Sequence, residues 1–290
     1  MFIKIVIRKI VRYLRISDLL HSLLVRTDIL KKMGLLGFGE ARSNRINPFF
    51  LTLNAIESDY KLIFREDTKL PFENSSLKVI YSSHNLEHLD YKTAENFFKE
   101  SYRTLRKGGE LSIEVPNMEL VYNSYKKYIE EGDFSHFEPF MHQSGFSVGV
   151  NQTIRRHQGL QAEEIENRLK EPSIHFAQYI ANYLDPPFIG PQTPIIIEPK
   201  KFNEFFDSME MDDFFDWYAS KLTEDQKKSG GHISSWYPSK LINQLNSLGF
   251  STELRGYKES RSINGNGFFV FIPDRDHRSH NSFRVSALKL

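Results

Sequence analysis

The chain has 290 residues, enough for one large domain or two modest ones, and at 40% hydrophobic and 26% charged it reads as an ordinary globular protein. A net charge of +1 gives no strong field for nucleic acid, and the absence of cysteine excludes disulfides, thiolate nucleophiles and cysteine-ligated metal centres. No run approaches the roughly 18 apolar residues that span a bilayer, and together these features suit a cytoplasmic protein.

In chain order, the first segment, MFIKIVIRKIVRYLRIS, carries Lys4, Arg8, Lys9, Arg12 and Arg15 before the first acid, Asp18. Its charges interrupt the apolar run too early for a spanning helix or a secretory segment. Their helical spacing predicts a basic amphipathic helix, either a lid on the domain or a contact with an anionic membrane at its inner face. Residues 16–33 read as a second helix with Ser17 or Asp18 as N-cap. A glycine turn, Gly37-Phe38-Gly39, follows a weak strand over residues 31–36, and FFLTL at 49–53 is strand-like.

Residues 77–81 (LKVIY) have the continuous apolar character of a buried parallel strand. A helix capped by Thr93 follows, with Ala94, Phe97, Phe98, Ser101 and Leu105 on one face, and Lys107-Gly108-Gly109 is the expected stop. ELSIEVP, residues 110–116, alternates as the next strand does. Strand, helix and strand make a βαβ unit, which implies a mostly parallel sheet with helices on both faces.

Residues 118–236 break this order and read as a large, mainly helical insertion. It contains a polar helix at 161–170, a proline-rich stretch at 185–199 and one acidic amphipathic helix at 200–222 that puts Phe202, Phe205, Phe206 and Met209 on one face. His142-Gln143 and Arg155-Arg156-His157 are polar groups within it that could meet a substrate or simply face solvent. A helix over 239–248 stopped at Gly249, a strand over 251–257 and a last strand over 283–290 complete the chain. The division is therefore 1–33 (basic and amphipathic helices), 34–117 with 237–290 (α/β core) and 118–236 (insertion, capping the acceptor side).

Two motifs carry more information than the pattern. The first joins Leu70-Pro71-Phe72 and Ser76 to Val79-Ile80-Tyr81-Ser82-Ser83-His84 and Leu86-Glu87-His88-Leu89; the second is Glu100-Ser-Tyr-Arg103-Thr-Leu105-Arg-Lys-Gly108-Gly109. On these the chain resembles bacterial class I S-adenosylmethionine-dependent methyltransferases, over roughly residues 34–120 and 232–290. The resemblance implies a Rossmann-like, mostly parallel seven-stranded sheet and S-adenosylmethionine as cofactor. It also implies Gly37, Phe38 and Gly39 beside the methionine moiety, a ribose anchor at Asn54 (or Glu57), and Glu66 or Asp67 near the adenine. Ser83 and His84 would then face the sulfonium and the acceptor. The chain departs from the family at GFGEAR, which lacks a third glycine, and at Asn54, which is neutral where a carboxylate is expected.

For an alcohol acceptor a base must remove the hydroxyl proton, and a neutral imidazole suits that task near pH 7. His84 is the first candidate and His88 the second. No metal ligand is assigned, since adjacent Glu87 and His88 cannot by themselves complete a site for an ion wanting about six oxygen ligands. The expected activity is O-methylation of a small-molecule or glycan-linked acceptor, as in cell-envelope polysaccharide biosynthesis. The alternative is a methyltransferase-like binding protein with a weakened cofactor site.

Overall fold

The structure, a computed structural model, describes residues 16–39, 50–55, 57–133, 135, 172–181, 197–228, 230–255 and 282–290. The basic segment 1–15, residues 40–42 of GFGEAR, the polar helix at 161–170, most of the proline-rich stretch and both polar groups of the insertion lie outside the described residues. The elements are α1 (Ile16–Arg26), α2 (Ile29–Met33), β1 (Leu35–Phe38), β2 (Leu51–Asn54), β3 (Tyr60–Lys61), β4 (Leu77–Ser83), a 3-10 turn (Leu86–His88), α3 (Tyr91–Thr104) and β5 (Leu105–Pro116). They continue as α4 (Met118–Glu131), α5 (Pro172–Ala181), α6 (Pro199–Ser208), α7 (Met211–Lys221), α8 (Glu224–Lys228), α9 (Pro238–Ser247), β6 (Phe250–Arg255) and β7 (Ser282–Lys289). Among the described residues no helix is long and apolar enough to cross a membrane.

The strands form one seven-stranded sheet in the order β3-β2-β1-β4-β5-β7-β6. β3, β2, β1, β4 and β5 are mutually parallel, and β7 runs antiparallel to both β5 and β6. One face, carrying Leu36, Phe38, Ile80, Leu111, Ile113 and Val285, packs against Phe97 and Phe98 of α3, against Leu241 of α9 and against Trp236 just before α9 in a single apolar core. On the other face the alternation of β5 places Glu110, Ser112 and Glu114, all at most 5% exposed. β7 answers them: Arg284 Nη2 donates to Glu114 Oε2 at 2.9 Å and Ser286 Oγ to Glu110 Oε1 at 2.5 Å. A second apolar cluster joins α4, α5, α6 and α7 through stacked and edge-on rings, including Tyr125 on Phe176 with centroids 4.2 Å apart.

Several local expectations are corrected. The helix expected over 16–33 breaks at Asp28, which takes φ +54°, while the Thr27 hydroxyl bonds back to Leu23 O and Leu24 O and ends α1. β1 is not the weak strand 31–36; it includes Gly37 and Phe38, because parallel pairing with β2 and β4 on both sides outweighs their poor intrinsic preference. The N-cap of α3 is Asp90 rather than Thr93: its carboxylate accepts from Thr93 N at 2.8 Å and from Thr93 Oγ1 at 3.0 Å. Gly108-Gly109 does not stop that helix, which ends at Thr104. The pair sits in a bulge where the register shifts between Leu77↔Leu105 and Val79↔Glu110. A Cβ on Gly109 would lie 2.8 Å from Arg106 O, so only glycine lets the main chain pack this tightly. The single helix expected at 200–222 is two, α6 and α7, separated by extended Met209 and Glu210. The bend brings Phe206 and Phe214 edge to face at 5.1 Å.

The glutamate and arginine of the second motif work together. Arg103 Nε and Nη2 bind the two oxygens of Glu100 at 2.8 and 2.7 Å, and its guanidinium also donates to Leu70 O, Phe72 O and Asn74 Oδ1. Glu100 in turn accepts from Leu70 N at 2.7 Å. The pair clamps the Leu-Pro-Phe loop onto the end of α3, and Glu100 is held below the ordinary carboxylate range chiefly by the Arg103 hydrogen bond.

Candidate active site

From β1 the chain moves outward to β2 and β3, then returns across the sheet to β4 and β5. The reversal lies between β1 and β4, and in open α/β sheets the crevice for a ligand is at the carboxyl ends of the strands at such a point. Gly39, Asn54 and Ser83 stand at or just past the ends of β1, β2 and β4. Gly39 takes φ +78° and donates its N–H to Leu53 O at 2.8 Å. A Cβ there would lie 2.4 Å from Cγ of Asn85, so the Asn85 side chain sits directly on the glycine. Asn54 Nδ2 donates to Gly39 O at 2.7 Å, tying β2 to β1.

Other expected cofactor residues are placed differently. Gly37 is in mid-strand, paired with Thr52 and Tyr81, not in a turn. The Phe38 ring is buried in the core, stacked on Phe97 with centroids 4.1 Å apart, which leaves a cofactor at most its main chain. Glu66 and Asp67 are exposed in a turn whose carbonyls, Arg65 O and Thr68 O, accept from Asn96 Nδ2. Among the described residues no hydrogen bond or ion pair draws either carboxylate toward Gly39, Asn54 or Ser83. Ser83 Oγ is buried without a hydrogen-bond partner among the described residues.

Past β4 the chain turns at His84, which has φ +48° and donates its N–H to Glu114 O at 2.9 Å. Its Nδ1 is 3.3 Å from Glu87 Oε1, and its Nε2 is 3.2 Å from Ser282 Oγ and 3.9 Å from Glu114 Oε1. The 3-10 turn that follows buries Glu87 to 1% exposure. His88 Nδ1 is 3.2 Å from Gly231 O, and the ring centroids of His88 and His232 are 5.2 Å apart. Nε2 of His88 and Nε2 of His232 lie 4.0 and 3.9 Å from Glu87 Oε1.

Burial on its own would raise the Glu87 pKa, but the His84 contact and the neighbouring imidazoles outweigh it and hold the carboxylate ionised. Burial depresses the His232 pKa despite the attraction of Glu87, so its ring is neutral. His232 opens the tail segment covered by the resemblance, but the sequence does not set it beside His88, because Gly231 and His88 are 143 residues apart and meet only through the fold. Glu87, His88 and His232 each present one ligand atom, all within 4.8 Å of one another, a spacing that could hold a metal ion.

Residues 51–113, from β2 through the Gly108-Gly109 bulge into β5, match the family model described as a methyltransferase domain. Over those residues the chain is similar to a methyltransferase domain. S-adenosylmethionine is the cofactor that the sequence resemblance implies. No curated protein matches the chain in sequence. Among solved structures, it is similar to an S-adenosylmethionine-dependent methyltransferase from Archaeoglobus fulgidus, at 12% identity over 94% of each chain with a TM-score of 0.37. It is also similar to the YcgJ protein of Bacillus subtilis, at 9% identity over 94% of this chain and 98% of that one with a TM-score of 0.37. At that TM-score the likenesses add nothing to the family match. At the β1/β4 reversal, where ligands of open α/β sheets bind, the buried Ser83 Oγ, without a hydrogen-bond partner among the described residues, suits a polar ligand, whereas the space a side chain would take at Gly39 is filled by Asn85. The neutral Asn54 differs from an anionic diol anchor and can offer only an amide.

Proposed function

We propose that the chain transfers a methyl group from S-adenosylmethionine to an oxygen of a small-molecule or glycan-linked acceptor, with His84 as the base. One observation carries this reading: Glu87, buried and ionised, stands 3.3 Å from Nδ1 of His84 at the end of β4. A carboxylate at Nδ1 keeps the proton there, leaves the Nε2 lone pair to accept another, and steadies the imidazolium that results. Ser282 Oγ, 3.2 Å from Nε2, occupies the kind of position an acceptor hydroxyl would take.

The bound cofactor supplies an electrophilic methyl group on a sulfonium. The protein's part is to align the acceptor, exclude water and accept the hydroxyl proton. His88, bonded to Gly231 O, braces the loop. In this reading residues 118–236 cap the acceptor pocket, and the basic residues of 1–15 hold the protein at the cytoplasmic face of a membrane, which suits a lipid-linked saccharide.

The test is calorimetric titration with S-adenosylmethionine, followed by methyl transfer from labelled cofactor to hydroxyl-bearing saccharides. His84→Gln should lower turnover by about 10²–10⁴-fold with cofactor affinity unchanged. No binding at millimolar cofactor would defeat the enzyme reading, and full turnover by His84→Gln would defeat the base.

A further inference from the structure

Glu87 presents a physical problem that its place in a loop does not explain. Oε1 has only the 3.3 Å contact with Nδ1 of His84, and Oε2 is buried without a hydrogen-bond partner among the described residues, as is Nδ1 of His232. A buried polar atom left bare is costly, and a charged one more so. The imidazole nitrogens of His88 and His232 point at the carboxylate from 4.0 and 3.9 Å, too far for hydrogen bonds.

The main chain fixes this arrangement without help from the rings. Ile233 N and Ser234 N donate to Glu87 O at 2.8 and 3.3 Å, and His232 N donates to Ala181 O at 2.9 Å. Ser234 Oγ donates to Leu86 O at 3.2 Å while accepting from Trp236 Nε1 at 2.8 Å. His88 Nδ1 against Gly231 O places the ring proton on Nδ1 and leaves the Nε2 lone pair toward Glu87. Metal-binding histidines are held in this way, with the far ring nitrogen donating to a carbonyl or carboxylate.

We propose that Glu87, His88 and His232 bind a divalent transition-metal ion of the zinc class. Two ligands each about 2.1 Å from a tetrahedral ion lie about 3.4 Å apart. A contraction of about half an ångström would bring the two carboxylate–imidazole separations to that value, and all three ligand atoms already lie within 4.8 Å of one another. Two imidazoles and one carboxylate favour zinc, cobalt or manganese over magnesium or calcium, which take oxygen ligands. Three protein ligands leave a coordination position open, as catalytic rather than structural sites do. His84, on the same carboxylate oxygen, orients it. An acceptor oxygen bound at the open position would have its pKa lowered. That last role rests on the methyltransferase reading; binding of the ion does not.

The experiment uses the full chain, stripped with chelator and titrated separately with Zn²⁺, Co²⁺ and Mg²⁺ by calorimetry, with the visible spectrum recorded for cobalt. One Zn²⁺ or Co²⁺ per chain should bind at least about 100-fold more tightly than Mg²⁺, with the intense bands of four- or five-coordinate cobalt. Glu87→Gln and His88→Gln should each weaken Co²⁺ by about 100-fold or more. His88, with a side chain 27% exposed, tolerates change without unfolding, which a circular dichroism melt will verify. Absence of stoichiometric binding, equal affinity for Mg²⁺, or Co²⁺ bands unaltered in His88→Gln would each overturn the site. A chain that binds Co²⁺ but no S-adenosylmethionine would overturn the proposed function and keep the metal centre. The reverse result would overturn the metal centre alone.

Discussion

Gly39→Ala tests whether the end of β1 is built around a bare backbone. At φ +78° an L-residue costs about 1–2 kcal/mol. The new Cβ would stand 2.4, 2.6 and 2.8 Å from Cγ, Oδ1 and Nδ2 of Asn85. Ordinary contact begins about 1 Å further out, so Asn85 must leave its rotamer, an overpacking cost of about 1–3 kcal/mol. The sum is about 2–5 kcal/mol, read by urea unfolding followed by circular dichroism. The two parts separate in an Asn85→Ala background, where the steric part is absent and Gly39→Ala should cost only about 1–2 kcal/mol. The double-mutant cycle should therefore show a coupling of about 1–3 kcal/mol. Equal cost in both backgrounds, or a cost below about 0.5 kcal/mol in the first, would refute the geometry. With the cofactor against Gly39, as the sequence resemblance implies, affinity for S-adenosylmethionine should fall by at least about tenfold, or about 1.4 kcal/mol.

Arg103→Met removes the fork that clamps the Leu-Pro-Phe loop and leaves the Glu100 carboxylate, 10% exposed, with Leu70 N as its remaining hydrogen-bond donor among the described residues. Charge-assisted hydrogen bonds contribute about 1.5–3 kcal/mol each, and solvent at the 28%-exposed arginine reduces this, so urea unfolding should show a loss of about 2–4 kcal/mol. Asp59 accepts from His21 Nε2, Thr52 N and Thr52 Oγ1 at 2.9, 2.9 and 3.0 Å. Burial would raise its pKa, but these hydrogen bonds and the charge of His21 outweigh that and hold it below the usual carboxylate range. A depressed folded-state pKa contributes stability that is present above the unfolded value of about 3.9 and lost as pH falls through the folded one. His21→Ala should cost about 1–3 kcal/mol at pH 7 and flatten the decline of stability below about pH 4, measured by denaturant titration across pH. An unchanged acid limb would show that His21 does not hold Asp59.

How much of this was legible depends on how local each cause is. LKVIY announced its buried strand because β4 is apolar on both faces. The 3.6-residue spacing of Ala94, Phe97 and Phe98 announced the buried face of α3. The capping residue was misplaced by three positions because Asp90 and Thr93 are both good caps, and only the main-chain geometry chooses between them. Gly108-Gly109 resembled a helix stop because glycine marks a bulge as readily as a helix end. The clamp made by Glu100 and Arg103 was visible as a motif, but its target, the carbonyls of the Leu-Pro-Phe loop, was not.

By itself the sequence determined the βαβ order, the parallel sheet and the loop after β4, because hydrophobic period and turn chemistry act over a few residues. It also marked His84, Glu87 and His88 as a polar cluster in that loop. Only the tertiary structure decided what surrounds them. It turned the polar side of ELSIEVP inward against Arg284 and Ser286, which lie 170 and 176 residues further along the chain. It took Phe38 out of the glycine turn and into the core, and it brought His232 against Glu87 and His88. Those contacts depend on which segments the sheet order makes neighbours, and no local spacing records that.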